Sequence, residues 1–132
     1  MKVVKKYHFY AAHRNESAGA KCGRLHGHTY HVKVHLDFPR WKNNITILFQ
    51  EIDEKCEGVI KFYDHFLLLY INDPLAKVLN DLNEPFHSVL FETSAENLAK
   101  NIFDQIKNTG LPISRIELAE TESSNIIYEP TN

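Results

Sequence analysis

The most constraining stretch of this chain is a run of alternating residues led by two histidines. From His26 to Phe38, the residues Tyr30, Val32, Val34, Leu36 and Phe38 alternate with His31, Lys33, His35 and Asp37. A period of two is that of a strand with one buried face. His26 and His28 share the parity of the apolar set, so an extended backbone aims both rings at that face. Two imidazoles aimed at one point make half of a zinc site, which takes three or four protein ligands.

The third ligand comes from the preceding strand. Val3 to His13 alternates in the same way, with Tyr7, Phe9, Ala11 and His13 on one parity. If the two strands pair antiparallel, the end of the first meets the start of the second, and His13 falls beside His26 and His28. Three neutral imidazoles leave zinc its charge and an open position, the arrangement of catalytic sites. Cys22, in a loop rich in small and polar residues, is a possible fourth ligand of a structural site. Catalytic zinc sites commonly keep three protein ligands, which favours Cys22 instead as a nucleophile or general base beside the positive charge of Lys21, Arg24 and a metal ion, or as a loop cysteine with no role.

Further along, Phe49, Ile52, Cys56, Val59 and Ile60 recur at helical spacing and predict a helix ending near Phe62. Asp64-His65 follows. Such a pair is either a helix end with a dipole-matched histidine or a carboxylate that orients an imidazole for proton exchange. Asp73-Pro74 predicts a helix start, with Asp as cap and Pro as first residue. Thr93-Ser94-Ala95-Glu96 reads as a capping box opening a helix with Leu98, Ile102 and Ile106 on one face. Ile113–Glu120 and Asn125–Tyr128 read as closing strands, with Ile45–Leu48, Leu67–Tyr70 and Ser88–Phe91 ambiguous. Pro39–Asn44 reads as a turn, with Trp41 as loop packing. Glu120 has core parity, so it is either a buried carboxylate accepting paired N–H donors from a heterocycle or a strand-end glutamate in solvent. His8, His31, His35 and His87 carry no chemistry in this reading.

Strands at both ends with helices between predict an α+β layer, an antiparallel four-stranded sheet with helices on one face. At 132 residues the chain is expected to form a single domain spanning 1–132. A net charge of -2 argues against nucleic acid held by bulk electrostatics. The longest apolar run, Phe66 to Ile71, is too short for a bilayer, and the start of the chain lacks the apolar core of a secretion signal. The expected location is therefore cytoplasmic, with no membrane partner, and the two cysteines, Cys22 and Cys56, are expected to stay reduced.

The segments Phe9-Tyr10-Ala11-Ala12-His13-Arg14, Cys22-Gly23-Arg24-Leu25-His26-Gly27-His28, Asp64-His65, Ser94-Ala95-Glu96-Asn97 and Glu120-Thr121 resemble those of the 6-pyruvoyl-tetrahydropterin synthase / 6-carboxy-tetrahydropterin synthase family. The likeness covers nearly the whole chain. The short gap between Cys22 and His26 is closer to the 6-carboxy branch.

The resemblance implies a T-fold, whose sheets join between subunits into a barrel, usually in a homohexamer built as a dimer of trimers. It implies zinc on His13, His26 and His28, with Cys22 as the proton-abstracting base and Asp64 with His65 as a second relay. Glu120 would anchor the pterin ring, with Glu96 assisting. The implied reaction converts 7,8-dihydroneopterin triphosphate to 6-carboxytetrahydropterin, acetaldehyde and triphosphate, on the route to queuosine and other 7-deazapurines. The alternatives are a 6-pyruvoyl-type synthase that only eliminates triphosphate and a non-catalytic zinc-stabilised T-fold protein. Three departures from the family pattern are Ser94 in place of threonine, the apolar run Leu67–Tyr70, and Leu48-Phe49-Gln50-Glu51 without the usual aspartate-phenylalanine lead-in.

Overall fold

Two long strands set the frame. In the computed structural model, which describes residues 1–39 and 45–131, β1 (Lys2–His13) and β2 (His26–Asp37) run antiparallel along their whole length. Their apolar parities face the same way, so Phe9, Tyr30, Val32, Val34 and Leu36 are fully or almost fully buried. The opposite parity, with Lys6, His8, Tyr10, His31 and Lys33, is exposed. The loop between the strands is not irregular throughout: it folds into two short 3₁₀ turns, Glu16–Ala18 and Ala20–Gly23.

The other elements in chain order are α1 (Phe49–Ile60), β3 (Phe66–Tyr70), α2 (Leu75–Asp81), β4 (His87–Val89), α3 (Ala95–Asn108), β5 (Ile113–Thr121) and β6 (Ser124–Tyr128). The sheet order is β4-β3-β1-β2-β5-β6. The expected antiparallel four-stranded sheet is present as the contiguous block β1-β2-β5-β6. It is extended by two strands that alternation did not reveal, because β3 is parallel to β1 and β4 is parallel to β3. Leu68 and Leu69, successive residues of β3, are both fully buried. A strand covered on both faces reads as a plain apolar run. α2 supplies the crossover that a parallel β3–β4 pair requires.

Helices α1 and α3 cover the apolar face of the sheet. Ile52, Cys56 and Ile60 from α1 and Leu98, Ala99, Ile102, Phe103 and Ile106 from α3 complete one core with the strand residues. Phe49 departs from its expected place on the buried face of α1. It is 63% exposed, and the Lys5 ammonium stands 5.3 Å from its ring centre. Ile45–Leu48 form no strand and lead into α1. α2 starts at Leu75, one residue later than expected, with Pro74 in the cap position, and Asp73 Oδ1 still accepts the Leu75 N–H at 2.8 Å.

The cap of α3 differs from the expected box by one residue. Ser94, not Thr93, is the cap, and its Oγ accepts the Asn97 N–H at 3.2 Å. Glu96 is exposed, and its side chain makes no hydrogen bond among the described residues. The expected turn at Pro39–Asn44 and the packing of Trp41 fall largely outside the described residues, of which Pro39 alone is included.

Candidate metal centre

The register of the first hairpin brings the three histidines together. His13 pairs with His26 and Ala11 with His28, so three rings of the inner parity stand at one end of the sheet. Their ring centres are 4.6, 5.2 and 4.9 Å apart. One potential ligand atom from each lies within 4.8 Å of the other two.

Two of the rings are locked by main-chain carbonyls. His13 Nδ1 donates to the Thr93 carbonyl oxygen at 2.8 Å, and His26 Nδ1 donates to that of Arg24 at 2.7 Å. Each bond fixes the tautomer whose free lone pair is on Nε2, the usual outer-sphere arrangement of a metal-binding imidazole. The Nε2 atoms of His13 and His28 are buried and make no hydrogen bond with the protein. Buried polar atoms ordinarily have partners, and two orphaned nitrogens facing a common centre fit a cation.

Electrostatics point the same way. Burial lowers the His13 pKa to about 4, reinforced by His26 and His28 and opposed by the Thr93 carbonyl. Burial also lowers that of His28, opposed by Glu120. Both rings are therefore neutral near pH 7, the form a metal needs.

Thr93 is a part of this site that sequence reading missed. It is fully buried. Its hydroxyl contacts His13 Nδ1 at 3.2 Å and also donates to the Arg14 carbonyl at 3.2 Å. Arg14 in turn forks onto the buried carboxylate of Asp73, with Nε at 2.8 Å from Oδ2 and Nη2 on Oδ1. The available signal was a second hydroxyl residue directly before the Ser94 cap, one more than a cap needs.

Glu120 is half-buried on β5, where the regular pairing with β6 is interrupted between Ala119 and Thr121. Its Oε2 stands 3.8 Å from His28 Nε2, so the carboxylate borders the histidine cluster. Cys22 is an exposed, free thiol in the second 3₁₀ turn. Its carbonyl accepts the Asn15 N–H at 2.8 Å, which ties the turn to the end of β1.

Asp64 and His65 form the pair expected, with Oδ2 2.8 Å from Nδ1. They do not join the three histidines within one chain. His65 precedes β3 on the outer parity and packs against Tyr10, which belongs to the exposed face. An open groove of about 490 Å³ lies there, lined by Tyr10, Ala12, His28, Thr29, His65 and Leu67 among others. Glu96, at the start of α3, makes no contact that ties it to the cluster among the described residues.

The remaining histidines have other partners. His8 and His31 face each other across β1 and β2 on the outer face. His35 Nε2 is 2.5 Å from a Glu117 carboxylate oxygen, and His87 lies between the rings of Phe62 and Phe66 at 4.0 and 3.9 Å.

A mixed sheet covered on one face by helices, carrying three inward histidines at the end of its first hairpin, defines a T-fold protein with a candidate metal centre. The family model described as 6-pyruvoyl tetrahydropterin synthase matches residues 2–131, and the chain belongs to that family. A Haemophilus influenzae relative named 6-carboxy-5,6,7,8-tetrahydropterin synthase is 33% identical, over 97% of this chain and 98% of its own. A Synechocystis relative of the same name is 27% identical, over 96% of this chain and 91% of its own. Among solved structures, an uncharacterized protein from Wolinella succinogenes superposes with a TM-score of 0.81 at 20% identity, covering 99% of this chain and 98% of that one. The 6-pyruvoyl tetrahydropterin synthase of Plasmodium vivax gives 0.76 at 17% identity, covering 100% and 98%. No helix of the described residues is long and apolar enough to cross a membrane.

Proposed function

We propose that this chain is a zinc-dependent 6-carboxy-5,6,7,8-tetrahydropterin synthase that converts 7,8-dihydroneopterin triphosphate to 6-carboxytetrahydropterin, acetaldehyde and triphosphate. The observation that carries the reading is the convergence of three ligand nitrogens from His13, His26 and His28 beside the Glu120 carboxylate. The name shared by the curated relatives and the short gap between Cys22 and His26 support the 6-carboxy branch.

His13, His26 and His28 would hold the ion, which supplies Lewis-acid polarisation of substrate oxygens when bound. Cys22 takes a proton from the substrate side chain, and His65, oriented by Asp64, serves the second proton transfer. Glu120 accepts the N–H edge of the pterin ring, with Glu96 a weaker candidate for the same ligand.

His65 and the metal histidines use opposite faces of the sheet, so a complete site in this reading needs a second copy. A homohexamer that closes the uncovered sheet faces into a barrel would supply it, in keeping with a cytoplasmic enzyme of 7-deazapurine synthesis. The test is zinc content combined with turnover of 7,8-dihydroneopterin triphosphate. Acetaldehyde and triphosphate in equal amounts support the reading, triphosphate without acetaldehyde moves the chain to the 6-pyruvoyl reaction, and neither product leaves a non-catalytic zinc protein.

A further inference from the structure

His65 holds a backbone conformation that a histidine seldom adopts, with φ at 64°. Such a residue persists only where its surroundings over-determine it. Here one residue of β1 supplies most of that determination. The Tyr10 N–H donates to Asp64 Oδ1 at 2.9 Å, and the Tyr10 carbonyl accepts the His65 N–H at 2.6 Å. The same residue's ring lies edge-on to the His65 ring, with centres 5.5 Å apart and planes at 64°. The His8 ring lies 5.6 Å from the Tyr10 ring.

The side chain of His65 has little else to hold it. It is 74% exposed, and its Nδ1 bonds only to Asp64 among the described residues. Asp64 itself is held as a carboxylate chiefly by the Tyr10 N–H, with His65 adding to the effect and partial burial opposing it. An exposed imidazole on one hydrogen bond swings about that bond, whereas an aromatic wall on one side removes part of that freedom.

We propose that Tyr10 is a positioning residue for His65. Its main chain sets the Asp64–His65 turn, and its ring holds the imidazole so that Nδ1–H stays on Asp64 and Nε2 faces the groove. The proposal rests on the reading of His65 as a proton-transfer group only for its effect on turnover, not for its effect on the ring.

The groups charged or titratable around His65 are Asp64 on its own turn and Tyr10 and His8 on β1. The variants are compared at a pH where the His65 ring is neutral in each of them, so that a change in nitrogen shifts reports the tautomer and not protonation. Tyr10→Phe retains the wall, and Tyr10→Val removes it while keeping a good strand former, so β1 stays intact. Side-chain nitrogen NMR of His65 reads the tautomer directly.

In the wild type and in Tyr10→Phe, the Nδ1–H form is expected to dominate. In Tyr10→Val, the two nitrogen shifts are expected to move toward each other as the tautomers mix. In the same variant kcat is expected to fall about tenfold, with KM and zinc content unchanged, as for a reacting group set slightly out of place. Unchanged His65 nitrogen shifts in Tyr10→Val would overturn the proposal, whatever the turnover. A protein that turns over no pterin but shows the tautomer change would keep the positioning role and lose the functional reading.

Discussion

Thr93 holds His13 across eighty positions of sequence, its carbonyl accepting the ring's Nδ1–H at 2.8 Å while its hydroxyl spans the same ring and the Arg14 carbonyl. The residue that would have been a helix cap is instead the outer support of a metal-facing imidazole. One residue further on, Ser94 takes over the cap.

That division of labour predicts the effect of Thr93→Val. The carbonyl contact survives, while the single hydroxyl proton shared between the Arg14 carbonyl and Asn15 Oδ1 is lost. We expect about 1–2 kcal/mol of destabilisation from the acceptors left unpaired. Zinc affinity is expected to fall about tenfold, the low end for loss of an outer-sphere partner. Thermal unfolding and a competitive zinc titration read the two effects separately. Unaltered zinc affinity would show that the carbonyl alone orients His13.

Asp73 predicts an acid-dependent contribution to stability. The Arg14 guanidinium holds its carboxyl below the usual range, helped by the Leu75 N–H and opposed by burial. A carboxyl with a lowered folded-state pKa stabilises the fold above its unfolded-state value, about 3.9, and loses that contribution as pH falls through the folded value. Asp73→Asn is expected to cost about 3 kcal/mol near neutrality, as for a buried pair that loses one partner. Denaturant unfolding of the two proteins should converge as pH falls below about 3.9 and through the lowered folded-state value, and a difference that stays constant would assign the cost to packing.

Cys22→Ala separates the readings of that thiol. If Cys22 is the proton-abstracting base, the variant binds zinc at the wild-type ratio and loses at least about a hundredfold in turnover, the low end for general base catalysis. If the thiol is a fourth ligand, zinc is lost together with activity. Metal analysis decides between them before any kinetics are run.

Glu120→Gln tests the pterin anchor. The amide keeps size and one acceptor but replaces the other with a donor, which opposes an N–H edge. The expected effect is a KM rise of about thirtyfold, corresponding to about 2 kcal/mol for a hydrogen bond to a charged group. Zinc content should be unaffected, because the carboxylate stands outside the three-histidine cluster. A loss of zinc would instead make Glu120 a support of His28, to which it is 3.8 Å away.

Much of the fold was legible because it depends on local period. The parities of β1 and β2 placed His13, His26 and His28 on one face, and antiparallel pairing then left little freedom in where they meet. The buried stripe of α3, Leu98, Ile102 and Ile106, was equally plain. β3 was not legible, since Leu68 and Leu69 are buried on both faces and carry no alternation. Phe49 fits the apolar stripe of α1 by spacing yet lies beyond the edge of the core.

The sequence by itself determined which residues share a face and which imidazoles can reach one point, because side-chain direction along a strand follows from counting in twos. Tertiary structure alone decided that Thr93 supports His13, that Arg14 meets Asp73, and that His65 stands on the face opposite the metal histidines. Those relations depend on how a turn after α1 docks onto β1 and on contacts between residues tens of positions apart. No repeat or spacing encodes them, since they arise only when separate elements pack together.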